Sequence, residues 1–168
     1  MAGLIAHPDE GFDRAKKALE EAWGSIEAES PVWPFDFTDY YAEAMGEGLL
    51  RQFVSFERLV AVDGLHRVKL VSNDIESSLA ADSPAEVDRP VNIDPGYISH
   101  AKLVLFTTKD FSHRIYIGDG ICAEITLQWR GGAFHHQPWT FPDYRTHAYK
   151  DFFAGVRERY VEKYKRPE

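Results

Sequence analysis

The sequence predicts an α+β fold, one domain over residues 1–168 with a mainly antiparallel sheet and helices packed on it. Three observations predict it. A length of 168 residues is ordinary for a single domain. Apolar residues recur at helical spacing in three stretches, near 9–23, 64–80 and 146–164, with strand-like runs between them. Two β-branched runs flank a Gly-Asp-Gly centre at 118–120, the pattern of an antiparallel hairpin.

The elements follow in order. LIAH at 4–7 reads as a buried first strand. Pro8, Asp9 and Glu10 suit a helix N-terminus, and Phe12, Ala15, Leu19, Ala22 and Trp23 share one face until Gly24 ends the helix. SIEAES and VWPFDF give the next extended run, and strand, helix, strand is how a ferredoxin-like arrangement opens. Phe35 and Phe37 alternate with Asp36 as in a strand, and YYAEAMG begins a short helix. RQFVSFERLV at 51–60 is a strand. Asp63 is placed to cap a helix whose apolar face is Leu65, Val68, Val71, Ile75 and Leu79. AADSPAEVDRP at 80–90 is a loop, and VNID leads into a turn centred on Pro95 and Gly96. AKLVLFTT reads as a strand, HRIYIGDGICAEITLQW as a hairpin, and RGG at 130–132 as a turn. Tyr149, Phe152, Phe153, Val156, Tyr160 and Tyr164 line one stripe of the last helix.

Composition narrows the function. With 44% hydrophobic and 27% charged residues the chain has the balance of a folded protein, not a disordered one. The net charge of −8 removes the general field that DNA binding needs, and it disfavours RNA binding by exposed aromatics. The basic residues between Arg157 and Arg166 are interrupted by acids, as on a solvated helix face. No apolar stretch approaches a membrane span. The opening MAGLIAHPDEG has no basic region before an apolar run, so no secretory leader and a cytoplasmic location are expected. Cys122 is the single cysteine, expected as a small buried strand residue. GxxxxGK[ST], GxGxxG, HExxH, CxxC and GxSxG are all absent.

Four polar groupings carry candidate chemistry. In FDFTDYY, Asp36 and Asp39 with Tyr40 beside them can share a divalent metal or split acid and base roles, or Asp39 caps a helix and Asp36 faces solvent. In NIDPGY, Asn92 and Asp94 are either turn-forming residues or a binding group and a catalytic carboxylate. TTKDFSHR at 107–114 gathers Lys109, His113 and Arg114, a set that can hold phosphate or carboxylate and move a proton. Glu124 stands in the apolar run GICAEITLQW. If buried it needs a partner, and Lys109, His113 and Arg114 are the candidates. His135 and His136 are adjacent, so on a strand they point to opposite faces and do not form one metal site. Trp139, Phe141 and Tyr144 sit between prolines in QPWTFPDYR, suited to a lid or a wrap over the core.

The runs PFDFTDYY, RQFVSFERL, VNIDPGY, TKDFSHRIYIGDGICAEITL and PWTFPDYR resemble the bacterial family described as domain of unknown function 4416, over residues 4 to 164. The resemblance brings no reaction with it. It implies that Asp36, Asp39, Tyr40, Asn92, Asp94, Lys109, Asp110, His113, Arg114, Glu124 and Asp143 occupy motif positions. VDGLHRVKL and AADSPAEVDRP depart from the pattern, so they are expected at the surface without a functional role.

Two function classes compete. One is an enzyme or binder for a small anionic molecule, phosphorylated or nucleotide-like, with Lys109, Arg114, Asp36, Asp39, Tyr40 and Asn92 binding it. His113, Glu124 and Asp94 would then carry the chemistry, a divalent metal being one option for the carboxylates. The other is a non-catalytic structural or protein-interaction module, in which the aromatic blocks pack a core or a partner. Convergence of Asp36 or Asp94 with His113 and Glu124 in one cleft separates the two.

Overall fold

Strand β1 (Ala2–Ala6) is buried along its whole length because strands pair with it on both sides. These are β4 (Leu50–Phe56) and the first five residues of β5 (Val91–Ile98), both antiparallel to it. Strand β2 (Ile26–Glu29) and the short β3 (Trp33–Pro34) pair with β4. The structure is a computed structural model and describes residues 1–8, 11–61, 63–83 and 88–163. They divide into two units, Met1–Pro95 and Gly96–Glu168. Among the described residues there are nine strands and four α-helices, every strand pairing is antiparallel, and the fold class is α+β as the periodicity predicts. No helix among them is long and apolar enough to cross a membrane.

Strand alternation gives the first unit two different faces. Leu4, Val54, Val91 and Ile93 pack against Ala15 and Leu19 of α1 (Phe12–Trp23) and against Ile75 and Leu79 of α3 (His66–Ala81). Full burial of a leucine, isoleucine or valine side chain such as Leu4, Leu19 or Ile93 is worth roughly 1.5–3 kcal/mol. On the other face Ile5 packs with Phe35, Leu49 and Met45 of α2 (Ala42–Met45). Gly24 ends α1 with φ 94° and donates its N–H to Glu20 O at 2.9 Å, which is the stop the sequence signals.

Several boundaries differ from expectation. Helix α1 begins at Phe12, four residues after Pro8, with Gly11 at its N-cap; Asp9 and Glu10 lie outside the described residues. Phe35 to Phe37 leave the strand, since β3 stops at Pro34. Asp63 does not cap α3, whose N-cap is Leu65 without a side-chain hydrogen bond. NIDPGY is not a turn but the middle of β5. Pro95 is tolerated there because residues 91, 93 and 95 aim their backbone groups away from β1, so no ladder N–H is missed.

The innermost face of α3 is polar. Its buried residues are Lys69, Ser72 and Glu76, while Leu65, Val68 and Val71 are only partly buried. The edge of β5 explains this. Among the described residues of the first unit no strand lies beyond β5, so Ile93 would leave an N–H and a C=O unpaired. Lys69 Nζ donates to Ile93 O at 2.9 Å, and Ile93 N donates to Glu76 Oε1 at 2.7 Å. Two helix side chains stand in for the missing strand, as buried backbone groups require.

In the second unit β6 (Lys102–Thr107) pairs with Gly96–Ile98 and with β8 (Ile121–Arg130). A Cβ on Gly96 would lie 2.2 Å from Val104 O, so only glycine fits there. Strand β7 (Ile115–Gly118) forms the expected hairpin with β8, turning through Asp119 (φ 48°) and Gly120 (φ 76°). Strand β9 (Ala133–His136) returns along β8 after the RGG turn. The last helix, α4 (His147–Lys163), buries Tyr149, Phe153 and Val156, and Phe153 stacks on Tyr144 at 5.8 Å. Tyr164 lies outside the described residues.

Beside β8 there is a gap. Strand β7 pairs with Ile121–Ala123 and β9 with Leu127–Arg130, both on the side away from β6, leaving residues 124–126 without a neighbour strand. Side chains again fill the place. Trp139 Nε1 donates to Ile125 O at 3.0 Å, and the Thr140 hydroxyl donates to Thr126 O.

Candidate functional site

The gap beside β8 is where the chemistry of the second unit collects. Glu124, 3% exposed, accepts from Arg114 Nε at 2.8 Å and is joined to His113 Nε2 at 3.1 Å, both through Oε2. Thr126 Oγ1 lies 3.4 Å from its other oxygen. A carboxylate accepts only, so the His113 nitrogen facing it carries the proton. Arg114 also donates from Nη1 to Lys109 O at 3.0 Å, and its backbone N–H to Phe111 O, which closes the 109–114 loop onto the strand. The His113 ring stacks on Trp139 at 5.1 Å and 12° and meets Phe111 at 5.4 Å. The hairpin thus sets Glu124 in place, the loop supplies a guanidinium and an imidazole, and the proline-flanked segment supplies a ring.

Two groups remain over. His113 Nδ1 and Arg114 Nη2 have no partner among the described residues. Their side chains are 15% and 11% exposed, enough to reach solvent at one edge. Lys109 is exposed nearby in sequence, and buried Cys122 lies 3.9 Å from the Asp110 carboxylate.

The first unit holds a second polar cluster, on the sheet face opposite α1 and α3. Arg51 donates to Asp94 Oδ2 at 3.1 Å, passing over Gly3, where a Cβ would lie 3.0 Å from Arg51 Nη1. Phe35 and Phe53 each hold a ring 5.1 Å from the Arg51 guanidinium. Arg89 Nη2 bonds Asn92 Oδ1 at 2.6 Å and also Glu76, which ties this face to the edge bonds of α3. Burial would raise the Asp94 pKa, but the Arg51 and Lys69 charges outweigh it and hold it below the ordinary value. The Asn92 amide adds to that without reaching full hydrogen-bond geometry. Burial pushes the Glu76 pKa up, partly offset by Lys69 and Arg89. Burial, with Asp94 nearby, also pushes the Tyr41 phenol up.

These opposite shifts give a pH signature. Ionised Asp94 stabilises the fold above its ordinary pKa of about 3.9, and that part is lost as pH falls through the lower folded value. Glu76 has the opposite sign: its raised folded pKa contributes stability below about 4.3 that fades as pH rises. Urea unfolding of the wild type should therefore lose stability more steeply below about pH 4 than Asp94→Asn does. Equal acid limbs would show that the Arg51 pair is not what lowers Asp94.

The expected residues sort unevenly. His113, Arg114 and Glu124 meet, with the Lys109 carbonyl; Asp94 and Asn92 belong to the first unit with Arg51 and Arg89. Asp36, Asp39 and Tyr40 are exposed, and the Asp39 carbonyl, not its side chain, accepts from Ala42 N. No group of three or more His, Cys, Asp or Glu among the described residues is placed to hold a metal ion. The sequence reading missed Arg51, Lys69, Glu76 and Arg89. Lys69 and Arg89 stand in VDGLHRVKL and AADSPAEVDRP, the segments expected to be plain surface, which corrects that expectation. The spacing of Lys69, Ser72 and Glu76, three and four apart, was the available signal.

A family model described as "Domain of unknown function (DUF4416)" matches residues 1–160. No curated protein matches the chain, and no solved structure does.

Proposed function

The chain belongs to the DUF4416 family, and from that footing we propose that its second unit binds a small anionic molecule at His113 and Arg114. The family description names no activity, so the reading rests on this chain's own residues. One observation carries it: among the described residues, His113 Nδ1 and Arg114 Nη2 are left unused after Glu124 is satisfied. Arg114 neutralises Glu124, so a protonated His113 makes the cluster positive, and a charge-assisted contact to an oxyanion follows. Glu124 fixes the ring so that Nδ1 is the atom a ligand meets, the arrangement that suits proton transfer to or from it. Asp94 is left out, because its carboxylate is committed to Arg51.

Thermal melts with inorganic phosphate test this, since a ligand bound to the native state raises the melting temperature. Arg114→Lys keeps a charge beside Glu124 but loses the planar fork. It is expected to weaken phosphate binding by about 1.5–3 kcal/mol. An unchanged phosphate response in Arg114→Lys would place the anion elsewhere. A second reading, a non-catalytic interaction module, is favoured by the exposure of Phe111, Ile115 and Tyr116 at 66%, 72% and 66%.

A further inference from the structure

Phe111 is 66% exposed and Trp139 38% exposed, although large rings in a folded chain ordinarily find cover. Neither is loose. Trp139 is fixed by its indole hydrogen bond to Ile125 O and by the stack on His113. Phe111 sits at the base of the loop turn closed by the Arg114 N–H and lies against the His113 ring. The three rings therefore form one ledge with His113 at its centre, and the same imidazole presents the unused Nδ1. Phe141, 46% exposed, follows in the same proline-flanked segment.

We infer that the ligand of this site carries a flat aromatic or heteroaromatic ring beside its anionic group, as a nucleoside monophosphate does. The inference rests on the anion reading above and narrows it to a substrate class. The geometry supports it in two ways. Held rings with exposed faces stack on a planar group at little cost in lost freedom, because they are already fixed. Arg114 Nη2 and, on a protonated ring, His113 Nδ1 adjoin that ledge, so one small molecule spans both: its ring on Phe111, its oxyanion on these two donors.

The test compares adenosine monophosphate with ribose 5-phosphate on the whole chain, read by calorimetry and by quenching of tryptophan fluorescence. These probes share the phosphate and the sugar and differ in the ring. The ring should tighten binding by about tenfold or more, the scale of one stacked base. Phe111→Ala should remove most of that advantage while leaving ribose 5-phosphate binding unchanged. Phe111 is exposed, so the variant should fold, and circular dichroism with Phe111→Leu checks it. Equal affinity for the two probes, with no effect of Phe111→Ala, overturns the ring inference and leaves the anion reading standing. Failure of both probes and of phosphate to bind overturns the anion reading and this inference together.

Discussion

Arg114→Ala is expected to lose about 3–5 kcal/mol of stability in urea unfolding. Glu124 is almost wholly buried and its side chain is 2% exposed, while Arg114 is 11% exposed. A charge in such a place is tolerated only when paired, and removal of its guanidinium partner leaves His113 alone to balance it. The same change also cuts the bond to Lys109 O, which holds the loop on the strand. The sequence leaves two roles open for this residue: a cation that holds an anionic ligand, or the mate of a buried acid. The 2.8 Å contact from Nε selects the second for the fold, while Nη2 keeps the first in play for a ligand. Arg114→Lys and Glu124→Gln should each cost less than Arg114→Ala, since one keeps a cation and the other removes the charge that needs it. A loss below about 1 kcal/mol for Arg114→Ala would mean that the pair behaves as a solvated surface bridge.

Glu76→Ala should be comparably severe, about 3–5 kcal/mol, for a different reason. One Glu76 oxygen takes the Ile93 N–H and the other takes Arg89, with Lys69 3.9 Å away. Truncation therefore orphans a backbone donor at the edge of β5 and takes a counter-charge from Lys69 and Arg89, whose side chains then keep, among the described residues, only their bonds to Ile93 O and Asn92 Oδ1. Glu76→Gln separates these contributions. Its amide oxygen can still accept from Ile93 N, so it should retain more stability than Glu76→Ala. Hydrogen exchange at Ile93 is the direct readout: faster in Glu76→Ala than in wild type if the carboxylate stands in for a strand. Unchanged protection at Ile93 would refute that role.

The parts of the fold that could be read early are those where local chemistry and tertiary role agree. Gly118–Asp119–Gly120 had to turn, since its backbone needs positive φ at all three residues. The stripe of Tyr149, Phe153 and Val156 had to be buried. Reading failed where a polar side chain does a backbone's work. The sequence of α3 suggests that Leu65, Val68 and Val71 point inward, because an apolar core wants apolar residues. The open edge of β5 instead wants a donor and an acceptor, which Lys69 and Glu76 supply. Pro95 and Gly96 looked like a turn for a related reason: a strand tolerates them only where no ladder N–H is needed or another backbone comes close, and both hold here. For Glu124 the sequence offers Lys109, His113 and Arg114 as partners if its face is buried; the face is buried, and His113 and Arg114 are the two it meets.

The most direct measurement is a phosphate titration followed by 15N NMR of the His113 imidazole and the Arg114 guanidinium. The proposed site predicts that His113 Nδ1 and Arg114 Nη2 shift with added phosphate along one saturating curve, while Asp94 and Arg51 stay put. Saturable binding that moves neither His113 nor Arg114, or no binding to either group, would contradict it.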